Sequence, residues 1–197
     1  MAPRHRTPSR LIEGKILEAA LGLLDEQGFR ALTVRGIASR AGVAPMGIYN
    51  RFESKTGVYD ALWIEGFERL AATLSGVALT SDAVEDLLES GRRYLDFALA
   101  NPSYYRLMFM GSASGYAPSK EALRVAHGAF QVLLDAVRRV QICGYRTDVS
   151  DLDLAQTLWA DVHGHATLRM LGLSFARDPD AAYEVMLAST RMYLTAP

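Results

Sequence analysis

One group of side chains in the sequence has the chemistry of a metal site. Asp161, His163 and His165 lie within a segment of helical pattern. Residues i and i+2 point to different faces of a helix, so only Asp161 and His165 converge, and a metal ion needs more ligands than these. We therefore predict no metal site. We interpret His163 as a polar group satisfied inside a helical core or at the wall of a pocket.

Catalytic chemistry has no recognisable site in the sequence. It contains no glycine-rich phosphate loop, no nucleophile elbow and no clustered His and Cys ligands. The single cysteine, Cys143, excludes an intrachain disulfide and is interpreted as a buried or incidental thiol. We predict that the protein is not an enzyme and has no catalytic residue or cofactor. An all-helical enzyme remains the less favoured alternative.

Positive charge is concentrated near the N-terminus. Residues 1–55 hold nine Lys and Arg against five Asp and Glu, whereas residues 56–197 hold twelve against seventeen, so +4 and −5 make up the net charge of −1. A basic segment attracts polyanions such as nucleic acid, but imbalances of this size are also common on solvated surfaces. Charge alone therefore leaves DNA binding open.

The elements that position these residues are predicted to be helices. Apolar residues recur at helical spacing through almost every long segment, and no alternating run indicates a strand. The sequence predicts an all-α fold of about nine helices, near 10–27, 34–40, 45–51, 55–74, 84–100, 103–110, 120–142, 151–172 and 179–195. No apolar run approaches the ~18 residues of a membrane span, and no signal peptide follows the basic N-terminus, so we expect a cytoplasmic protein and no membrane partner.

Two of the short helices have the spacing of a helix-turn-helix, whose second helix enters the major groove of DNA. Thr33 is placed to cap the first helix, Gly42 permits the backbone angle of the turn, and Pro45 suits the first turn of the second. Phe29 and Phe52 are expected in the core. Basic residues flank the outward face, namely Arg35, Arg40, Arg51 and Lys55. Helical hairpins on protein surfaces share this spacing, so spacing alone does not decide between the two.

The residues of this motif resemble a known family. Residues 16–62, ILEAALGLLDEQGFRALTVRGIASRAGVAPMGIYNRFESKTGVYDAL, are similar to the N-terminal DNA-binding domain of the TetR family of bacterial transcriptional regulators. One departure is Ala44, where the family often has Ser or Thr, and this predicts a weaker cap on the recognition helix. The resemblance implies a DNA-binding domain over residues 10–70, with its motif at 33–52, and a regulatory domain over residues 80–195.

The resemblance also implies roles in DNA contact. Thr33, Tyr49 and Lys55 match positions that commonly contact phosphates, which fix the register of the protein without reading sequence. A second set lies where base edges are met: Arg35, Pro45, Met46, Gly47 and Asn50. Arginine pairs with guanine, asparagine with adenine, and the Met and Pro side chains contact a thymine methyl. The basic arm at residues 4–10 is expected to be disordered, with the minor groove as the alternative.

The rest of the chain resembles one subgroup of the same family. Residues 158–168, LWADVHGHATL, are similar to its Trp-His-Gly signature, and residues 97–109, FALANPSYYRLMF, also match the subgroup. The resemblance implies a domain that binds a small-molecule effector and forms a homodimer. Aromatic, thioether and imidazole side chains form the candidate effector site: Tyr104, Tyr105, Met108, Phe109, Phe130, Trp159 and His163. Taken singly, each of these residues is more often part of an ordinary core.

A two-fold dimer also follows from the geometry of DNA reading, because one motif reads only a few base pairs and a palindromic operator presents two half-sites. We expect the dimer seam along helices 151–172 and 179–195. An apolar stripe there consists of Tyr183, Met186, Leu187, Thr190 and Leu194. The predicted function is a repressor released from double-stranded DNA by an effector, with the loop 111–119 as a candidate gate. The alternative keeps the DNA-binding domain but makes the C-terminal part a protein-interaction module without a ligand.

Overall fold

A computed structural model describes residues 9–110 and 115–196. Within these ranges the chain forms nine α-helices, a short 3-10 helix at Phe29–Ala31 and no strand, which confirms the all-α prediction. The helices are α1 Ser9–Gln27, α2 Val34–Ala41, α3 Pro45–Phe52, α4 Lys55–Ser75, α5 Ala83–Ala100, α6 Pro102–Met110, α7 Lys120–Ile142, α8 Asp151–Met170 and α9 Pro179–Thr195. In this part of the chain no helix combines the length and apolar character of a membrane span. Arg4, His5 and Arg6 of the basic arm and residues 111–114 of the candidate gate lie outside the described residues.

Side-chain caps fix where most of the helices begin. Six helices follow a Ser, Thr or Asp whose side chain accepts a backbone N–H of the first turn: Thr33, Ser54, Asp82, Ser119, Ser150 and Asp178. Each cap satisfies a donor that has no partner within the helix. Helix α3 differs, because Ala44 at its N-cap offers no side-chain hydrogen bond. The cap expected at Thr33 is confirmed.

The chain divides into two compact units. The N-terminal unit comprises Met1–Gly66 and Ser103–Leu123, and the C-terminal unit comprises Phe67–Pro102 and Arg124–Pro197. The predicted domains, 10–70 and 80–195, are continuous in sequence, whereas the N-terminal unit also takes in α6 and the start of α7. The predicted boundaries therefore stay a prediction.

Helices α1 to α3 enclose the core of the N-terminal unit. Its buried side chains include Ile16, Leu24, Ile37 and Ile48. Phe29 and Phe52, which the sequence placed in this core, are only half-buried and lie at its edge. The Leu and Ile side chains of α1 to α3 therefore provide the central apolar contacts.

Helix α6 is held in the N-terminal unit by contacts with α4 and α1. The indole N–H of Trp63 donates to the carbonyl of Met108 at 3.1 Å. A Cβ on Gly66 would lie 2.7 Å from the Met108 sulfur, so α4 and α6 approach closely at this glycine. The Ser103 hydroxyl donates to Asp25 of α1 at 3.1 Å.

In the C-terminal unit, α5 packs against α8 and α9. The Tyr183 hydroxyl of α9 donates to the Gly91 carbonyl of α5 at 2.6 Å, and a Cβ on Gly91 would lie 3.0 Å from Leu187. Tyr183, Leu187 and Leu194 are only 2%, 2% and 0% exposed. The sequence-based assignment of these three residues to a dimer seam was wrong, because their side chains are already buried within their own chain.

A polar cluster in the same unit joins α5, α7 and the segment before α5. The backbone N–H and the hydroxyl of Thr80 each donate to the Asp86 carboxylate at 2.8 Å. Arg139 donates to the same carboxylate and to the Thr80 carbonyl. Burial alone would raise the pKa of Asp86, but the hydrogen bonds from Arg139 and Thr80 outweigh it and hold the pKa below its usual value. The cluster thus stabilises the ionised form of a buried acid.

We expect Asp86→Asn to lower the free energy of unfolding by about 2 kcal/mol at neutral pH, because it leaves Arg139 without its carboxylate. Since the folded-state pKa lies below the unfolded value near 3.9, this stabilisation is present above about pH 4 and is lost as the pH falls through the folded-state pKa. Urea unfolding at pH 7 and pH 3 measures both effects, and the difference from the unmodified protein should shrink at pH 3. Asp135→Asn, in an exposed pair with Arg138, is the matched control and should change little. An equal effect of the two changes would contradict this account.

Candidate nucleic-acid interface

The turn between α2 and α3 has the geometry that its residues predict. Thr33 lies in extended conformation, and its hydroxyl oxygen accepts the Gly36 N–H at 3.0 Å. Gly42 is left-handed at φ 66° and ψ 33°, a conformation that glycine adopts without steric cost. The Val43 N–H then donates back to the Ala38 carbonyl at 3.0 Å. These local bonds set the angle at which α3 leaves α2.

Helix α3 buries one face and exposes the other. Ile48 is fully buried, whereas Met46 and Tyr49 are 63% and 47% exposed. Pro45 and Asn50 are exposed as well, and Gly47 is half-buried. This outward face combines apolar, phenolic and amide groups, which can contact the edges of DNA bases. Exposed apolar groups on one face are also typical of a binding surface.

The first turn of α3 has no side-chain cap. Pro45 occupies the first helical position, where its missing N–H costs nothing, and the Gly47 N–H donates to the Ala44 carbonyl at 2.8 Å. The weaker capping expected from Ala44 is thus confirmed, because its side chain accepts no hydrogen bond. Pro45 and the backbone hydrogen bond from Gly47 to Ala44 organise the turn instead.

A tight junction fixes α3 against the start of α4. Glu53 ends α3 with a positive φ of 61°, and its N–H donates to the Tyr49 carbonyl. A Cβ on Gly57 would lie 1.8 Å from the Phe52 carbonyl oxygen, so only glycine fits at this position. The junction places Lys55 at the exposed N-terminus of α4, where the helix dipole also favours an anion.

The flanking basic residues differ in their contacts. Arg35 is exposed and has neither an ion pair nor a hydrogen bond within residues 9–110 and 115–196. Arg51 donates to the Gly47 carbonyl of its own helix at 3.1 Å. Arg40 crosses to α1 and donates to both carboxylate oxygens of Glu26, at 2.6 and 2.5 Å. The hydrogen bonds from Arg40 hold the pKa of Glu26 below its usual value. Arg35 is therefore available for a ligand, and Arg40 is engaged in positioning α2.

We expect Arg40→Ala to weaken DNA binding without changing its salt dependence. Its guanidinium pairs with Glu26, so the change loosens α2 on α1 but removes no phosphate contact. The slope of log affinity against log salt should stay constant, because each lost phosphate contact lowers its magnitude by about 0.9. Titration of labelled operator DNA at several salt concentrations measures the slope. A slope that falls as it does for loss of a phosphate contact would assign Arg40 to the DNA instead.

The predicted effector residues divide between the two units. Tyr104, Tyr105, Met108 and Phe109 belong to the N-terminal unit, where the first three are buried and the rings of Tyr105 and Phe109 lie 4.9 Å apart. In the N-terminal unit they provide core contacts. Their role in binding an effector stays a prediction.

The other three predicted residues meet in the C-terminal unit. The Trp159 ring lies 5.8 Å from Phe130 and 5.7 Å from His163. The Tyr94 hydroxyl lies 2.9 Å from Nδ1 of His163, so the imidazole is satisfied by a hydrogen bond. Burial lowers the pKa of His163, which favours the neutral ring at neutral pH. This half-buried cluster has the composition of an adaptable apolar site.

The remaining candidate groups for chemistry are dispersed. Asp161 is exposed, and the His165 ring lies edge-on to the Tyr183 ring at 5.5 Å between centroids. Within the described ranges, no group of three or more His, Cys, Asp or Glu side chains is arranged to hold a metal ion. Of the two interpretations of Cys143, a buried thiol was wrong because the side chain is exposed, and an incidental thiol stays a prediction.

Two residues that position the interface were not predicted from the sequence. Glu26 was not considered because its partner Arg40 lies 14 residues away, beyond any helical spacing. Gly57 had a detectable signal, since a glycine in the first turn of a helix is unfavourable unless the backbone of a neighbour is close.

Comparison with known proteins identifies relatives of both parts of the chain. Residues 16–62 match the family model described as bacterial regulatory proteins, tetR family, and residues 87–190 match a tetracyclin repressor-like C-terminal domain. An uncharacterised HTH-type transcriptional regulator of Mycobacterium tuberculosis is 23% identical over 180 residues, which cover 91% of this chain and 80% of that protein. Matches to two other curated relatives span only 50% and 61% of their lengths.

Solved structures share the fold. A protein of unknown function from Rhodococcus sp. RHA1 has a TM-score of 0.83 at 23% identity, over 98% of this chain and 99% of that one. The TetR family transcriptional regulator PfmR of Thermus thermophilus has a TM-score of 0.68 at 20% identity, over 91% of this chain and 96% of that one. At these identities the likeness shows the fold alone.

Proposed function

The chain belongs to the TetR family of bacterial transcriptional regulators, and on that premise we propose that it is a repressor released from its operator by a small-molecule effector. DNA binding comes with the family. The observation that carries the proposal for this chain is the outward face of α3, where Met46 and Tyr49 are exposed; Arg35 on α2 is exposed too and has no ion pair within the described residues. Apolar and aromatic side chains that are exposed together on one face are typical of a surface that a binding partner covers.

The proposed DNA contacts fall into two sets. Thr33, Tyr49 and Lys55 would bind phosphates, and Arg35, Pro45, Met46, Gly47 and Asn50 would face base edges. The exposure of Met46, Tyr49 and Asn50 on one helix supports this division. Because the Thr33 oxygen already accepts the Gly36 N–H, its hydroxyl hydrogen is the group that remains for a phosphate oxygen.

The proposed effector site is supported in the C-terminal unit by the cluster around Trp159 and His163. We assign the chain to the Trp-His-Gly subgroup on the residues that carry that resemblance, which include both of these side chains. A neutral imidazole between aromatic rings binds uncharged, flat molecules with a hydrogen-bonding group. Tyr104, Tyr105, Met108 and Phe109 remain part of the proposed set.

A homodimer through α8 and α9 is the proposed assembly, with different residues from those first predicted. On α9, apolar side chains at helical spacing are exposed: Ala181, Val185, Ala188 and Met192. On α8, a stripe at helical spacing consists of Ala160, Gly164 and Leu168 and continues to Leu171 just after the helix, and a Cβ on Gly164 would meet no atom within 4 Å. Each stripe combines small residues with larger apolar ones, which allows close helix packing across a two-fold axis.

DNA binding is tested with the segment upstream of the coding region, titrated at several salt concentrations. We expect tight binding that weakens steeply with salt, because the affinity depends on released counterions. Lys55→Ala should lower the magnitude of the slope by about 2 per dimer, at about 0.9 per lost phosphate contact. Tyr49→Ala should weaken binding with little change in slope, because it removes no charge.

Lys120→Ala, a change of an exposed lysine at the start of α7, is the control and should leave the slope unchanged. If the upstream segment does not bind, selection from random DNA supplies the operator. Failure to select any sequence would contradict DNA recognition by this chain.

Effector binding is tested by thermal unfolding against a panel of uncharged aromatic compounds. A compound that binds only the folded protein raises the melting temperature by mass action, and as an effector it must also weaken operator binding. Trp159→Ala should abolish both effects of such a compound. A compound that stabilises the protein but leaves operator affinity unchanged would contradict its role as effector.

A further inference from the structure

Contacts within the N-terminal unit lead from residues 115–119, just before α7, to Lys55. The Lys55 ammonium lies 5.4 Å from the centroid of the Tyr59 ring, within the range of a cation–π interaction. The Tyr59 ring lies 5.3 Å from the Tyr116 ring. The Tyr116 hydroxyl donates to Asp60, whose carboxylate also accepts the backbone N–H of Ser119 at 3.1 Å. Asp60 thus holds Tyr116, and Tyr116 packs on the ring beneath Lys55.

The chemistry of Tyr59 indicates that its ring matters and its hydroxyl does not. The side chain is buried, and in the described part of the chain its hydroxyl has no hydrogen-bond partner. A buried hydroxyl without a partner is unfavourable, so phenylalanine would satisfy the packing equally well. The face of the ring, in contrast, is occupied by Lys55 and Tyr116.

An aromatic ring and a carboxylate have different effects on a lysine that must bind a phosphate. Lys55 is exposed and has no carboxylate partner within the described residues. An acidic partner would neutralise the ammonium and compete with a phosphate, whereas an aromatic face attracts it and leaves its three N–H donors available. Restricting a flexible lysine before DNA arrives also lowers the entropy that the contact costs.

We propose that Tyr59, supported by Tyr116, is a positioning residue that orients Lys55 for a DNA phosphate. The inference rests on the proposed phosphate contact of Lys55. It makes DNA affinity depend on residues 115–119, since movement of Tyr116 away from Tyr59 loosens the ring on which Lys55 lies. The interaction connects this segment to the DNA without altering the recognition helix.

A double-mutant cycle on operator affinity tests the proposal. Tyr59→Met keeps an apolar side chain of similar reach but removes the aromatic face, and Tyr59→Phe keeps the face. We expect Tyr59→Met to weaken binding by about two- to fivefold per DNA-binding head, the range of an exposed cation–π contact, and Tyr59→Phe to leave it unchanged. In the Lys55→Ala background, Tyr59→Met should have no further effect.

Each other outcome overturns the proposal in a recognisable way. An equal loss in both backgrounds means that Tyr59 acts on the fold and not through Lys55, and tighter binding by Tyr59→Met means that the ring withholds Lys55 from DNA. If Lys55→Ala alone changes neither affinity nor salt slope while the operator still binds, the phosphate contact fails and this inference with it, but DNA recognition stands. Should circular dichroism show that Tyr59→Met does not fold, Tyr116→Leu replaces it in the same cycle, with the same expected loss.

Discussion

Gly57→Ala is expected to weaken operator binding on the order of 100-fold and to destabilise the protein by about 3 kcal/mol, in the upper range for overpacking. The added Cβ would lie 1.8 Å from the Phe52 carbonyl oxygen, where real contacts are at least 3.0 Å, so backbone must move by about 1.2 Å. The obstructing atom belongs to the last residue of α3, and no side-chain rotation relieves the clash. The recognition helix therefore shifts relative to α4.

This shift exceeds the tolerance of the contacts that α3 makes. Hydrogen bonds to base edges hold over a range of about 0.5 Å, and each bidentate base contact contributes ~1–3 kcal/mol of discrimination. Loss of one such contact in each head lowers operator affinity on the order of 100-fold, while non-specific binding through charge persists. The measurements are urea unfolding and parallel titration of operator and random DNA.

Gly14→Ala is the matched control for this change. Gly14 also lies in a helix of the N-terminal unit, but a Cβ there would meet no atom within 4 Å. Alanine in that helix should stabilise the protein by about 0.5–1 kcal/mol and leave DNA binding intact. If Gly57→Ala behaved like Gly14→Ala, the close approach of α3 and α4 would not be required for function.

Local signals account for what the sequence predicted well. Gly42 and Pro45 lie at helix boundaries because their backbone restrictions act within a few residues. Thr33 caps α2 for the same reason. The outward face of α3 also follows from one helical period, with Ile48 buried and Tyr49 exposed.

Non-local packing explains what the sequence did not provide. An apolar stripe on α9 predicts that one face is buried, but not whether its own chain or a second copy covers it, and Tyr183 and Leu187 are covered by α5. Tyr105 is suited to a ligand pocket by type, yet it is fully buried in the N-terminal unit. Arg40 has the charge for DNA, but Glu26 on α1 binds it. For the residues of α9 and for Arg40, the deciding partner lies on another helix.

Val185→Arg is expected to convert the dimer to monomers at micromolar concentration. Val185 and Met192 are 66% and 73% exposed in the single chain, on the α9 face that we assign to the seam. Near a two-fold axis each substitution places a charge opposite its own copy, and an unpaired interfacial charge costs about 4 kcal/mol, or roughly a thousandfold in the dissociation constant. Sedimentation equilibrium over a dilution series measures this change.

Ile142→Arg distinguishes the seam from apolar exposure in general. Ile142 ends α7 in the same unit and is 85% exposed, so the change adds the same charge at a more accessible apolar position. It should leave the dimer intact, because nothing assigns that position to the interface. Operator affinity should fall for Val185→Arg, because a monomer presents only one recognition helix to an operator with two half-sites. It should not change for Ile142→Arg, which leaves the dimer intact. A Val185→Arg protein that remains dimeric would place the interface away from this face of α9.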